Sequence, residues 1–186
     1  MTLPGQNRPI VAHSKRVVVR LEREGRIGII GVDASPVNAI SRAVRVGLRD
    51  AVNRFARDED LAAAIILGEG SYFLSGGDIR EFDQPEQEPT LRTICSIIES
   101  CAKPLVAAIH GAALGGGYEL ALACDARIAE RDAIIGLPET RLGLIPGAGG
   151  TQRLPRLVGP AKAIELIAFA RRIVAVQAHR LGMIDA

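Results

Sequence analysis

The pattern of apolar and polar residues predicts strands and helices in alternation along the chain. From Arg16, the alternation in RVVVRLEREGRIGIIGVDA predicts two β-strands with a turn at Glu24-Gly25. Ser41 is a suitable N-cap for the segment RAVRVGLRDAVNRFARDEDL, in which apolar residues recur at helical spacing. The run AAAIILGEG that follows is apolar and ends in glycines, which is typical of a strand buried on both faces.

The second half of the chain continues this alternation. Helices are expected for LRTICSIIESCAK, YELALACD, GPAKAIELIAFARR and AVQAHRLGMIDA. One buried strand is expected for PLVAAIHGAALGGG, two short strands for ARIAERDAIIGLPE, and a Gly/Pro-rich loop for TRLGLIPGAGGTQRLPRLVG. Strands that alternate with helices predict an α/β domain with a largely parallel sheet.

Length and composition indicate a globular protein. The 186 residues are enough for one domain, and 48% apolar with 24% charged residues is the balance of a folded chain. No apolar run approaches the roughly 20 residues that a membrane-spanning helix needs. The first residues lack the apolar region of a secretory signal. We therefore expect a flexible leader at 1–14, one domain at 15–186, and no membrane partner.

Charge and cysteine content exclude other classes. The chain has 23 basic and 21 acidic residues with interspersed signs, and aromatic residues make up only 3%. A nucleic-acid-binding surface usually needs clustered basic residues and stacking aromatics, so no nucleic-acid partner is expected. The three cysteines, Cys95, Cys101 and Cys124, are odd in number and form no CxxC motif. They predict reduced thiols, a cytoplasmic location and no metal site.

Two glycine clusters follow buried strands, LSGGD at 74–78 and LGGGYE at 114–119. Ligands of α/β sheets bind beyond the carboxyl ends of strands, where such loops lie. Glycines there allow a ligand to approach main-chain N–H groups, and two such donors could stabilise one oxyanion. The alternative is that both clusters are only tight turns. Gly111 and Gly116 have the spacing of P-loop glycines, but Gly117 stands where lysine is needed, and the GxG at Gly147 and Gly149 lacks the third glycine of a dinucleotide-binding motif.

Two glutamates lie beside these loops in apolar segments. Glu119 follows the triple glycine directly, and Glu139 follows Pro138 in IIGLPE. Partial burial would raise the pKa of either carboxyl group toward the range that suits proton transfer. The alternative for each is a surface glutamate at a helix start. Asp78 and Asp125 are expected to be structural hydrogen-bond acceptors, and His110 to make a packing or backbone contact.

Three longer segments resemble signatures of the enoyl-CoA hydratase/isomerase (crotonase) superfamily. They are FLSGGDIREF, AAIHGAALGGGYELALACDARIA and GLPETRLGLIPGAGGTQRLPRLVG, and the resemblance extends from about Arg16 to Asp185. SPVNAIS and RRIVAVQAHRLGMIDA are most similar to the hydratase/isomerase part of multifunctional fatty-acid β-oxidation enzymes. The resemblance implies an α/β fold with a crotonase-like ββα spiral core.

The resemblance also implies roles for four residues. The N–H groups of Gly77 and Gly116 would form the oxyanion hole for an acyl-CoA thioester. Glu139 would exchange the proton at C2, and Glu119 would activate the water that adds at C3. Having both glutamates favours 2-enoyl-CoA hydratase activity, with Δ3-Δ2-enoyl-CoA isomerase activity as the alternative.

Further implications concern binding and assembly. Coenzyme A would be part of the substrate, with no separate cofactor or metal, and the protein would form a homotrimer or hexamer or belong to a multifunctional enzyme. Family members continue beyond Asp185 with helices that complete the acyl pocket, so we expect these helices to be truncated here. An inactive CoA-binding or interaction module is therefore a further alternative. The segments that would contact the substrate contain Ala39, Ile40, Ser75, Gly76, Asp78, Ile79, Leu114, Gly115 and Pro138.

Overall fold

The structure is a computed structural model that describes residues 18–81, 83–85 and 87–186. The predicted leader, residues 1–14, therefore lies outside the described residues. Strands and helices alternate as the sequence predicts. The strands are β1 (Val19–Glu24), β2 (Ile27–Val32), β3 (Ala63–Gly68), β4 (Leu105–Ile109), β5 (Ala112–Leu114), β6 (Ala126–Ala129), β7 (Ile134–Gly136) and β8 (Arg172–Val174). The α-helices are α1 (Arg42–Arg57), α2 (Leu91–Glu99), α3 (Gly116–Ala123), α4 (Gly150–Val158), α5 (Pro160–Ala168) and α6 (Ala175–Arg180).

The strands form two sheets. The larger sheet has the order β1-β2-β3-β4-β6, in which β1 pairs antiparallel with β2 and every other neighbouring pair is parallel. The smaller sheet has the order β5-β7-β8, with β5 parallel to β7 and β8 antiparallel to it. The α/β class with a largely parallel sheet is therefore confirmed.

Helix α1 forms for the reasons that the sequence indicates. The Ser41 side chain accepts a hydrogen bond from the Val44 N–H and caps the helix. The apolar residues at helical spacing are buried, and they include Leu48 and Phe55, which are fully inaccessible. Burying each of these side chains contributes about 1.5–3 kcal/mol, so tertiary packing fixes this helix on the sheet.

The predicted single strand in PLVAAIHGAALGGG is wrong, because the segment forms β4 and β5 in different sheets. The break lies at His110-Gly111, where Gly111 has a φ of +59°. A Cβ atom at Gly111 would lie 1.9 Å from the Ser71 carbonyl oxygen, so only glycine fits this crossing between sheets.

The predicted loop at 140–159 is also wrong over its second half, which forms α4. Pro155 lies inside this helix, although proline normally disfavours a helix interior. The predicted helix over GPAKAIELIAFARR is too long as well, because α5 ends at Ala168. Residues 172–174 form the edge strand β8, and α6 ends at Arg180. Among the described residues, no helix is long and apolar enough to span a membrane.

Candidate active site

The two glycine loops lie against each other. The first loop follows β3, and the second loop follows β5. Leu114 N donates a hydrogen bond to Leu74 O at 3.3 Å, which joins the two loops in a parallel bridge. A Cβ atom placed on Gly116 would lie only 3.6 Å from Gly77 N. The two amides that the sequence singles out are therefore close neighbours.

Neither of these amides has an acceptor among the residues that the structure describes. Within the described part of the chain, the N–H groups of Gly77 and Gly116 donate no hydrogen bond. Gly116 is the first residue of α3, so the helix dipole adds positive potential at this point. Both glycines line a cavity of about 970 Å³. An anionic oxygen in this cavity would meet two available main-chain donors.

Glycine is required at this contact for two different reasons. Gly76 has a φ of +112°, a conformation that residues with a side chain rarely adopt. A Cβ atom at Gly117 would lie 2.0 Å from Leu74 O, inside the first loop. The glycine clusters thus combine a special backbone conformation with close packing of two main-chain segments.

Glu119 lies on α3, a helix in which every residue is buried. Its Oε1 atom accepts two hydrogen bonds of 2.8 Å, from the N–H groups of Ala148 and Gly150. Burial raises the pKa of this carboxyl group, and the two amides together with the positive charges of Arg153 and Arg92 oppose that rise. Burial is the largest of these effects, so the pKa of Glu119 is raised on balance, and the two hydrogen bonds fix the carboxylate in position and limit that rise.

Glu139 lies in a different environment. It begins the short 3₁₀ helix Glu139–Leu142, directly after Pro138. Both of its carboxyl oxygens are buried and accept no hydrogen bond from the described residues. Burial, with a smaller contribution from the negative charge of Glu119, raises the pKa of Glu139 to about 7. Burial raises the pKa of both carboxyl groups, and they differ in that hydrogen bonds offset part of this rise at Glu119.

The structure brings most of the predicted site residues to this one cavity. Ala39 and Leu114 do not line it, although both were expected to contact the substrate. Leu114 is instead the last residue of β5 and pairs through its backbone, while Ala39 directly precedes the lining residue Ile40. The predicted residues that do line the cavity are Ile40, Ser75, Gly76, Gly77, Asp78, Ile79, Gly115, Gly116, Glu119, Pro138 and Glu139.

The residues expected to be structural have structural partners. The Asp78 carboxylate accepts hydrogen bonds from the guanidinium and N–H of Arg80, and the Asp125 carboxylate accepts one from Leu105 N. His110 Nε2 lies 3.0 Å from Gly70 O, which is the expected backbone contact. No group of three or more His, Cys, Asp or Glu residues in the described ranges could hold a metal ion.

Sequence reasoning missed three arginines that line the cavity, namely Arg42, Arg45 and Arg92. Arg45 is held by Glu81 Oε2 at 2.9 Å and by Pro89 O at 2.7 Å. All three lie on α1 or α2, where arginine is an ordinary surface residue, so no local pattern distinguishes them. The two amides that bind Glu119 were also missed, because nearly every residue has a backbone N–H group and no sequence pattern shows which of them contacts a side chain.

Comparison with known proteins gives consistent relatives. A family model described as enoyl-CoA hydratase/isomerase matches residues 22–186. Over 159 residues the chain is 48% identical to the peroxisomal bifunctional enzyme of Danio rerio, which is 86% of this chain and 22% of that protein. Over 166 residues it is 44% identical to a probable enoyl-CoA hydratase of Bacillus subtilis, covering 86% of this chain and 64% of that one.

Solved structures show the same similarity. The crystal structure of an enoyl-CoA hydratase from Bacillus anthracis superimposes with a TM-score of 0.84 and 37% identity, covering 90% of this chain and 69% of that one. The expected crotonase-like fold is therefore confirmed. The chain spans between 22% and 64% of the length of the two curated relatives described above.

Proposed function

The chain belongs to the enoyl-CoA hydratase/isomerase family, and from this we propose that it adds water across the 2,3 double bond of a 2-enoyl-CoA thioester in fatty-acid β-oxidation. One observation carries the proposal. Two buried carboxyl groups line one cavity, one held by two hydrogen bonds and the other by none from the described residues, beside two main-chain amides that also have no partner there.

The two amides would bind the thioester oxygen. Addition of water to the double bond puts negative charge on this oxygen, as the substrate becomes enolate-like. The N–H groups of Gly77 and Gly116 are held by packed loops, so they need no reorganisation when the charge develops. A preorganised donor of this kind is worth about 3–4 kcal/mol of transition-state stabilisation.

The two glutamates would divide the proton transfers. One oxygen of Glu119 accepts two hydrogen bonds that favour its anionic form against the effect of burial, and its other oxygen accepts none from the described residues. It can take a proton from the water that attacks C3. Glu139 has a pKa of about 7, so it can hold the proton that C2 receives. Environments that separate the pKa values of two neighbouring acids are the usual way in which such roles are assigned.

The proposed step balances. The water oxygen forms a bond to C3 while its proton passes to Glu119, and Glu139 gives its proton to C2 as the double bond is lost. Glu119 is then protonated and Glu139 ionised, and exchange of protons with solvent restores the starting state. No oxidation or reduction occurs, so we propose that no metal or redox cofactor takes part and that coenzyme A enters as part of the substrate.

Isomerisation of a 3-enoyl-CoA is the second candidate activity. It requires a carboxylate that takes a proton from C2 and returns it to C4. Glu139 is favoured for this shuttle because neither of its oxygens is held by the described residues. This activity does not use Glu119, which distinguishes the two reactions.

Hydration of a 2-enoyl-CoA, followed by loss of the conjugated absorbance, tests the proposal directly. We expect turnover in the wild-type chain and a rate that falls as the pH rises through about 7, because Glu139 then loses the proton that it must donate. The Glu139→Gln variant should lose hydration by roughly 10²–10⁴-fold. Tight binding of coenzyme A without any turnover would instead support the inactive binding module.

Assembly and location belong to the same proposal. We propose either a homotrimer or hexamer of this chain or a place within a multifunctional β-oxidation enzyme, which light scattering of the isolated chain and of the longer protein separates. The cysteines in the described structure are free thiols, which supports a reducing compartment, and we propose the cytoplasm. Fluorescence microscopy of a tagged chain tests this, because the Danio rerio relative is named a peroxisomal enzyme.

A further inference from the structure

Two arginines hold the loop that binds Glu119. The Arg92 guanidinium on α2 donates to the carbonyl oxygen of Gly147, from Nη2 at 2.9 Å and from Nε at 3.3 Å. The Arg153 guanidinium on α4 donates from Nη1 to the next carbonyl oxygen, that of Ala148, at 2.9 Å. Successive carbonyl groups of one loop are thus each bound by a cation.

The first of these peptide groups connects Arg92 to Glu119. The carbonyl of Gly147 and the N–H of Ala148 belong to the same peptide group. Arg92 binds its oxygen, and its N–H donates to Glu119 Oε1 at 2.8 Å. A cation on the oxygen polarises a peptide group and makes its N–H a stronger donor, because hydrogen bonds in a chain reinforce one another. Arg92 therefore acts on Glu119 without touching it.

The two arginines differ in their own partners. Arg153 is bound by both carboxylate oxygens of Glu99, at 3.2 Å and 2.8 Å, so its charge is largely balanced. Arg92 forms no ion pair within the described residues. Arg92 is the unbalanced positive charge at this loop, and Arg153 is the better-buried anchor.

We propose that Arg92 and Arg153 are positioning residues that hold the Gly147–Gly149 loop against Glu119 and keep this carboxylate anionic. The inference rests on the proposed hydration, in which Glu119 must accept a proton. It adds two side chains that donate to the main-chain carbonyl groups of the loop and act on Glu119 through them.

The other charged or titratable groups around Glu119 do not replace Arg92. On α2, Glu99 is paired with Arg153, and burial raises the pKa of the Cys95 thiol to about 12, so the thiol is neutral. On the 3₁₀ helix, Glu139 is a carboxyl group that would add negative charge when ionised. Removing the charge of Arg92 should therefore raise the pKa of Glu119.

The test is a pH titration of Glu119 by ¹³C NMR in protein labelled at the glutamate carboxyl carbons. The Glu119 signal is assigned by its loss in Glu119→Gln. In Arg92→Gln we expect its midpoint to rise by about half a pH unit or more, since an exposed cation is partly screened. Arg92→Lys keeps the positive charge, so the Glu119 midpoint should rise by at most half as much as in Arg92→Gln.

The matched control is Arg156→Gln on α4, because the one hydrogen bond that Arg156 donates within the described residues goes to Gln152 O, away from the loop. The inference would be overturned if the Glu119 midpoint in Arg92→Gln equalled the midpoints in the wild type and the control. It would also be overturned if Arg92→Lys and Arg92→Gln had the same midpoint. Arg92 is exposed, so its variants should fold. Arg153→Lys gives a second measurement, with a misplaced loop and a raised midpoint expected.

The rate profile separates this inference from the proposed function. In Arg92→Gln the acid limb of kcat/KM for hydration should move to higher pH by the same amount as the NMR midpoint, while its basic limb stays. Absence of hydration in the wild type would refute the proposed function, yet the NMR titration would still decide whether Arg92 acts on Glu119. Hydration with an unmoved acid limb would refute only the inference.

Discussion

Replacing Glu139 by Gln should remove activity and yet stabilise the fold at alkaline pH. The pKa of Glu139 is about 7 in the folded protein against an ordinary value of 4.5. Between these values the folded state binds more protons than the unfolded state, so the free energy of unfolding falls as the pH rises. Above pH 7 the native state carries a buried, unpartnered carboxylate that the unfolded state solvates.

The size of this effect follows from the pKa difference. If the whole pKa difference contributed to the free energy of unfolding, it would amount to about 3 kcal/mol, since one pKa unit corresponds to about 1.36 kcal/mol. The Glu139 residue is partly exposed, although its carboxyl oxygens are covered, so solvent screening should leave about 1–2 kcal/mol. This contribution should destabilise the wild type relative to Glu139→Gln at pH 8 and be nearly absent at pH 4.5.

The assay is urea unfolding of both proteins at pH 4.5 and pH 8. The buried amide of the variant has its own cost, but this cost is the same at both pH values, so the informative quantity is the change in the difference between them. We expect the variant to gain about 1–2 kcal/mol relative to the wild type on going from pH 4.5 to pH 8. A difference that does not change with pH would refute the assigned environment of Glu139.

Three further substitutions test other parts of the account. Glu119→Gln should lower hydration by roughly 10²–10⁴-fold and leave 3-enoyl-CoA isomerisation measurable, and equal loss of both activities would contradict the division of roles. Asn38→Ala leaves three backbone groups without their hydrogen-bond partner, so urea unfolding should show a loss of about 2–4 kcal/mol, and no loss would be contrary evidence. Gly117→Ala places a Cβ atom 2.0 Å from Leu74 O, so circular dichroism should show that this variant does not reach the native fold. At Gly147 an added Cβ atom meets nothing within 4 Å, so Gly147→Ala should fold. Equal behaviour of the two variants would argue against the loop contact.

The features that the sequence predicts well are those with local causes. Helix α1 was predicted because Ser41 caps it and its apolar residues repeat at helical spacing, and neither signal depends on the rest of the fold. The glycine clusters were recognised because a close approach of two backbones requires residues without side chains. These clusters also drew attention to Glu119 and Glu139, which the structure brings to one cavity.

Features with tertiary causes were not predictable in this way. The helical course of α4 contradicts the preference of Pro155, and buried Leu154 shows that packing overrides the local signal. The passage of the chain from β4 to β5 at Gly111 depends on the Ser71 carbonyl of another loop. Arg92 was missed because its effect on Glu119 passes through a peptide group, which no residue pattern reports.

Binding of the thioester oxygen by two amides is the central claim, and the carbonyl carbon of a bound substrate reports on it directly. The measurement is the ¹³C chemical shift of a 2-enoyl-CoA labelled at its thioester carbonyl, bound to the inactive Glu139→Gln variant. Hydrogen bonds from Gly77 and Gly116 should polarise the carbonyl and move its signal downfield from that of the free ester. A bound substrate whose carbonyl signal coincides with that of the free ester would contradict the account.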